Sequence, residues 1–269
     1  MAFMRSNLAR IVDAIRVLNQ CFWRWFYRLA SPPHVYALAG RICPWFAGLA
    51  GVFLVIGTYG GLVLAPADYL QGDGFRIIYV HVPSAYLGML AYMMMATSAA
   101  IGFIWRMKMA HGLAVSVAPL GAWFTVLALV TGGIWGKPMW GTYWQWADAR
   151  LMSELMLLFL FLGYIVLRAS FDDREKADRI SAILAVVGVI NVPIIHYSVE
   201  WWSTLHQGPT IAKLDEPSIT MDMLIPLLCM LIGFTAFFGW LLCKRLQGEI
   251  LNRERRTRWV EELIRGDSA

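Results

Sequence analysis

Two histidines sit in settings suited to binding a metal. His81 lies in RIIYVHVPSA and His196 in NVPIIHYSVEWW. An imidazole nitrogen ligates iron well, and two imidazoles on separate helices at one depth are able to clasp one iron from opposite faces. Pro83 follows His81 by two residues and Pro193 precedes His196 by three, so each proline bends or ends its helix and fixes the ring's aim. Between them lies WGKPMWGTYWQWADAR, residues 135–150, which holds Trp135, Trp140, Tyr143, Trp144 and Trp146 beside Lys137, Asp148 and Arg150. Indole faces suit a flat, amphiphilic ligand such as a porphyrin, and Arg76, Lys137 and Arg150 are available to its carboxylates. The plain alternatives are an aromatic belt at the membrane–water interface and interfacial histidines bonded to backbone or water. His206 also stands near, as a competing ligand or a solvated loop residue. Glu200 is either a carboxylate orienting a ligand histidine or an exposed loop residue.

The elements that position these residues are membrane helices. Of 269 residues, 59% are hydrophobic and 15% charged, with mean hydropathy +0.57; a soluble domain carries about 25% charged residues. Apolar runs of spanning length fall near 44–65, 84–105, 113–134, 151–168, 180–197 and 223–243. The fold class is therefore an all-α polytopic membrane protein with six transmembrane helices. Nineteen of the 23 lysines and arginines fall on one side of such an arrangement, leaving Arg76, Lys137, Arg150 and Lys213 on the other. The positive-inside rule then places both termini in the cytoplasm. The outward loops run near 66–83, 135–150 and 198–222, and His81, His196 and the tryptophans share the outer edge.

Three parts are expected: a basic cytoplasmic segment 1–43, a six-span domain 44–243 and a basic cytoplasmic tail 244–269. Leu8, Ile11, Val12, Ile15 and Leu18 recur at helical spacing, as in an interfacial helix or by chance in a tail. A cleaved signal peptide fits badly, because no apolar h-region with a small-residue cleavage site follows the first basic residues. The net charge of +5 follows topology and is no nucleic-acid footprint. Cys21, Cys43, Cys229 and Cys243 form no CxxC or CxxCH, so covalent c-type haem is excluded. GGIWGKP at 132–138 has the wrong spacing for a phosphate loop, and no nucleophile–base pair stands out.

Together these stretches resemble the cytochrome c maturation protein C family, or haem exporter protein C. APADY at 65–69, RIIYVHVP at 76–83, GKPMWGTYWQW at 136–146 and IIHYSVEWWSTLHQG at 194–208 carry the resemblance, over roughly residues 30–260. It implies a haem-delivery protein of the bacterial inner membrane, not an enzyme. Non-covalent haem b would face the periplasm and pass to a periplasmic haem chaperone (CcmE). A single-span subunit (CcmD) and an ATP-binding-cassette pair (CcmA, CcmB) would be partners. By this resemblance His81 and His196 are axial ligands, and Trp140, Trp144, Trp146, Asp148 and Arg150 belong to the haem- and chaperone-binding motif. The family motif runs Trp-Asp directly, whereas here Ala147 separates Trp146 from Asp148 and Met152 stands where Thr is frequent. One added residue turns a helix by about 100°, so either the loop absorbs it or the platform shifts against Asp148 and Arg150. Two other classes compete. An electron-transfer subunit favours histidines deeper in the spans. A permease favours charges facing a central cavity, and the spans hold little charge beyond Glu154.

Overall fold

A computed structural model describes residues 27–202, 204, 206 and 219–266, together with 13, 16, 17, 19, 20 and 23. Leu8, Ile11, Val12, Ile15 and Leu18, the periodic residues expected on an interfacial helix, lie outside the described residues.

Among the described residues, six helical segments are long and apolar enough to cross a membrane: Pro32–Leu64, Asp73–Trp105, Lys108–Trp140, Ala149–Ala169, Arg174–Trp201 and Met221–Glu254. The chain is thus an all-helical polytopic membrane protein. We label the α-helices α1 (Pro32–Tyr59), α2 (Ile78–Trp105), α3 (Lys108–Trp140), α4 (Ala149–Ala169), α5 (Arg174–Gly188), α6 (Asn191–Trp201), α7 (Met221–Glu254) and α8 (Arg258–Arg265). A helix of 28 residues such as α2 spans about 42 Å, which exceeds a hydrocarbon core of about 30 Å.

The helices therefore outrun the apolar runs that reveal them. α1 begins at Pro32, twelve residues before the expected span, because Pro32 and Pro33 occupy its first turn, where no backbone N–H is needed. Arg41 lies within α1 and stays exposed. At the other end of the chain α7 continues to Glu254, where Ile250 packs with Val35, Met109 and Trp259. The fifth span breaks between Gly188 and Asn191. Pro193 explains the break, since it has no N–H to offer the Val189 carbonyl.

α1 packs along α7, and α2 along α3. At the α2–α3 seam Ala91, Ala99, Ala114 and Ala118 are fully buried. In lipid the drive for association is close van der Waals packing, and small side chains permit it. Tyr92 and Phe161 meet edge to face across that core at 5.1 Å. At the end bearing both described chain ends, a buried ion network joins α4, α5 and α7. Arg253 grips Asp178 with both terminal nitrogens at 2.9 and 3.0 Å and donates from Nε to Glu249 at 2.6 Å. Arg168 reaches Asp178 at 3.1 Å. Groups this buried hold their charge only when mutually paired.

Candidate functional site

At the opposite end, the chain between α1 and α2 folds back tightly. α1 closes in a π-helical turn, Gly60–Leu64, and a 3-10 turn, Asp73–Ile77, leads into α2. Arg76 lies on that 3-10 turn. Its Nε donates to Asp73 at 2.9 Å and Nη1 to the Gly61 carbonyl at 2.6 Å. That guanidinium is thus engaged in holding the turn.

His81 is the fourth residue of α2. Its Nδ1 lies 3.1 Å from the Ala128 carbonyl and 3.0 Å from Thr131 Oγ1. Thr131 spends its own hydroxyl proton on the Leu127 carbonyl, at 2.6 Å. Both oxygens facing Nδ1 are therefore acceptors, so Nδ1 carries the proton. Nε2 is left with its lone pair, the arrangement a metal-ligating imidazole needs. Gly132 makes room for the ring, because a Cβ there would come within 3.0 Å of His81 Cε1. Trp135 packs edge-on to the same ring at 5.6 Å, and its Nε1 donates to Gln71 at 2.8 Å.

The aromatic stretch is half helix and half loop. Trp135–Trp140 form the last turns of α3, which ends at Gly141 with φ 76°, a left-handed conformation suited to glycine. Lys137 donates to the Gly141 carbonyl at 2.9 Å. Beyond it Trp144 and Trp146 meet edge to face at 5.6 Å. Trp146 is 72% exposed, while Trp144 is partly covered, with its Nε1 buried and unbonded. Ala147 sits in a turn closed by Asp148 N to the Gln145 carbonyl at 3.1 Å. The added residue thus lies in the loop, ahead of the first turn of α4.

Asp148 is the N-cap of α4. It is buried, and its side chain accepts from Leu151 N at 2.9 Å. The same carboxylate lies 3.5 Å from His206 Nδ1, close enough for a charge contact but without forming a hydrogen bond. His206 also packs its ring 5.2 Å from Trp140. Burial, joined by the Arg150 guanidinium, holds the His206 imidazole below its ordinary value of 6.5, against the opposing pull of Asp148.

His81, Arg150, Glu154 and His206 line one small cavity of about 30 Å³, with Ala85, Met89, Ala128, Leu129 and Leu151. Glu154 is 8% exposed, and its Oε1 has no hydrogen-bond partner. The structure thus gathers His81 and Arg150 from the expected set, adds His206 and Glu154, and sets Asp148 and Trp140 against His206. It does not place His196 or Arg76 on that cavity. His196 is exposed on α6, its ring edge-on to Tyr197 at 4.7 Å. Tyr197 in turn stacks on Trp201, which meets Trp202. Among the described residues no cluster of three or more His, Cys, Asp or Glu forms a metal cage. Sequence reasoning left the His206 contacts open, because nothing local distinguishes it from a solvated loop histidine. The signal for Thr131 and Gly132 was their position one helix across from His81, which only packing reveals.

The profile of a family described as heme exporter protein C matches residues 25–261. The chain is 50% identical over 242 residues to "Heme exporter protein C" of Escherichia coli (strain K12), covering 90% of this chain and 97% of that one. It is 47% identical over 241 residues to the Haemophilus influenzae protein of the same name, covering 90% and 98%. A mitochondrial ccmC-like protein of Marchantia polymorpha, described as a putative cytochrome c biosynthesis protein, is 40% identical over 215 residues, covering 80% and 87%.

Proposed function

Since the chain belongs to the heme exporter protein C family, we propose that it holds haem as cargo and delivers it during c-type cytochrome maturation. The aromatic end of the bundle is the haem end, and it faces the periplasm from the bacterial inner membrane. The charge split of nineteen to four supports that orientation. The cargo is haem b, held without a covalent bond, as the lack of any CxxCH suggests.

The observation that carries the reading is the pair of oxygens facing Nδ1 of His81. Its Nδ1–H is committed to Ala128 and Thr131, so Nε2 is free for iron, in a ring that lines the cavity. The second axial ligand is His206 in preference to His196. His206 shares the cavity and sets its own Nδ1 toward a carboxylate, which orients a ligating imidazole and strengthens it. Its depressed pKa keeps it neutral, as ligation requires. Arg150 is the cation placed to meet a propionate, and Trp140 walls the His206 side.

As it stands, a cavity of about 30 Å³ has the volume of one water molecule. A porphyrin needs it to open. His206 lies beyond the end of α6 and outside any helix. Trp146, Trp201 and Trp202 are exposed beside this end and form the surface that a haem chaperone contacts. A single-span subunit and an ATP-binding-cassette pair complete the assembly, and any ATP hydrolysis belongs to them.

The test is transfer. Haem-loaded chain is mixed with a soluble haem chaperone, and the covalent haem product is followed by its absorbance. Trp146→Ala with Trp201→Ala should keep the Soret band of the loaded chain while transfer slows by roughly tenfold, the worth of about 1.4 kcal/mol of contact. Normal transfer by that pair would reject the aromatic docking surface.

A further inference from the structure

Among the described residues that line the histidine cavity, Glu154 is the only acid and Arg150 the only permanent cation. They stand four residues apart on α4, so they share one face of the helix, with Cβ atoms about 5–6 Å apart. Glu154 is buried, and its Oε1 has no hydrogen-bond partner. The helices packed on its far side explain why. Gly88 of α2 makes room for the carboxylate, since a Cβ there would come within 3.5 Å of Oε1 and 2.9 Å of Thr125 Oγ1. Thr125, on α3, donates its hydroxyl proton to the Gly121 carbonyl at 2.9 Å. Neither residue offers Oε1 a donor, so its counterpart has to come from the cavity side.

A buried carboxylate at membrane depth is costly unless a positive charge answers it. Arg150 is that charge. It is the charge that acts on Glu154, and Glu154 in turn acts on the Arg150 guanidinium more strongly than Asp148 does. Asp148 is engaged elsewhere, accepting from Leu151 N at 2.9 Å as the cap of α4. The haem-free cavity is therefore lined by one cation and one anion. An arriving propionate brings a second anion to the same guanidinium.

We infer that Glu154 competes with a haem propionate for Arg150, which weakens the hold on the cargo and allows it to be handed on. This rests on the cavity being the haem site. The carboxylate answers Arg150 while the site is free, yields it to the propionate on loading, and draws it back as the haem leaves. A charge about 4–6 Å away moves a neighbour's ionic equilibrium by about one to three powers of ten. A site opened wide enough for a porphyrin lies at the weak end of that range, because admitted water screens the pair.

The experiment is haem titrated into the full-length apoprotein in detergent and followed at the Soret band, in mildly alkaline buffer where carboxyl groups are charged. Glu154→Gln keeps the size of the side chain and removes its charge. It should bind haem about tenfold more tightly than the wild type and release it to a haem chaperone more slowly. Damage to the fold loosens a site, so tighter binding separates competition from a structural role. Glu154→Asp retains the charge and should bind as the wild type does. Haem dimethyl ester, whose propionates are capped, should bind equally to the wild type and to Glu154→Gln. The inference fails if Glu154→Gln binds haem no more tightly than the wild type, if Glu154→Asp tightens as much as Glu154→Gln, or if the ester gains as much as free haem. A wild type that takes up no haem at all overturns the haem site itself, a result distinct from these three.

Discussion

Replacing Thr131 by valine tests how the site would aim His81, the proposed iron ligand. Valine keeps the shape of threonine and removes one oxygen. That oxygen sits 3.0 Å from His81 Nδ1, while the Ala128 carbonyl remains at 3.1 Å. His81 therefore keeps one acceptor and loses the other. A hydrogen bond of this kind is worth about 0.5–1.5 kcal/mol net, a factor of roughly 2 to 12 in an equilibrium constant. Outer partners of metal-ligating histidines cost about 10–100-fold when removed. The remaining acceptor places this case at the low end, near tenfold. Haem titrated into purified apoprotein and followed at the Soret band gives the affinity directly. The fold should not suffer, because the threonine hydroxyl is bonded only within its own helix and to His81. Wild-type affinity in Thr131→Val, with haem lost in His81→Ala, would refute the tautomer argument.

Asp148 has two separable tasks. Asp148→Ala removes the cap of α4 and should cost about 1 kcal/mol of stability by thermal unfolding, whereas Asp148→Asn caps about equally well and should reveal only the lost charge beside His206, as weaker haem retention. Equal unfolding temperatures for the two variants would count against the cap. The His206 pKa lies below 6.5 in the folded chain because its neutral form is favoured there. The stability that burial of the neutral ring contributes is fully present above pH 6.5 and is lost as pH falls through the folded pKa. Haem retention titrated downward in pH should therefore have its midpoint below 6.5, and a midpoint at or above 6.5 would contradict that placement.

Much of the fold was legible because bilayer thickness writes itself into the sequence. Uniform apolar runs gave six spans, and all six are helices. Their ends were not legible, since Pro32, Arg41, Lys137 and Lys244 read as solvent signals although helices carry them past the hydrocarbon. The aromatic loop was visible as composition, but its first six residues are helical. Ala147 was visible as an insertion, and the structure places it in the Gln145–Asp148 turn just before α4. The site divides the same way. His81 and Arg150 were singled out by residue type and depth and do share a cavity. His206 was harder to read, because an apolar, proline-flanked helix advertises His196 while His206 follows in polar chain. What sets His206 apart is contact with Asp148 and Trp140, residues about sixty positions away, and no local pattern encodes that contact.

An iron held by His81 would need a second imidazole opposite it, and His206 and His196 are the candidates. The Soret spectrum of the purified, haem-loaded chain should be compared for His81→Ala, His206→Ala and His196→Ala. The first two should lose most of their haem or shift its band, while His196→Ala keeps both. Haem kept unchanged in His206→Ala and stripped from His196→Ala would contradict the assignment.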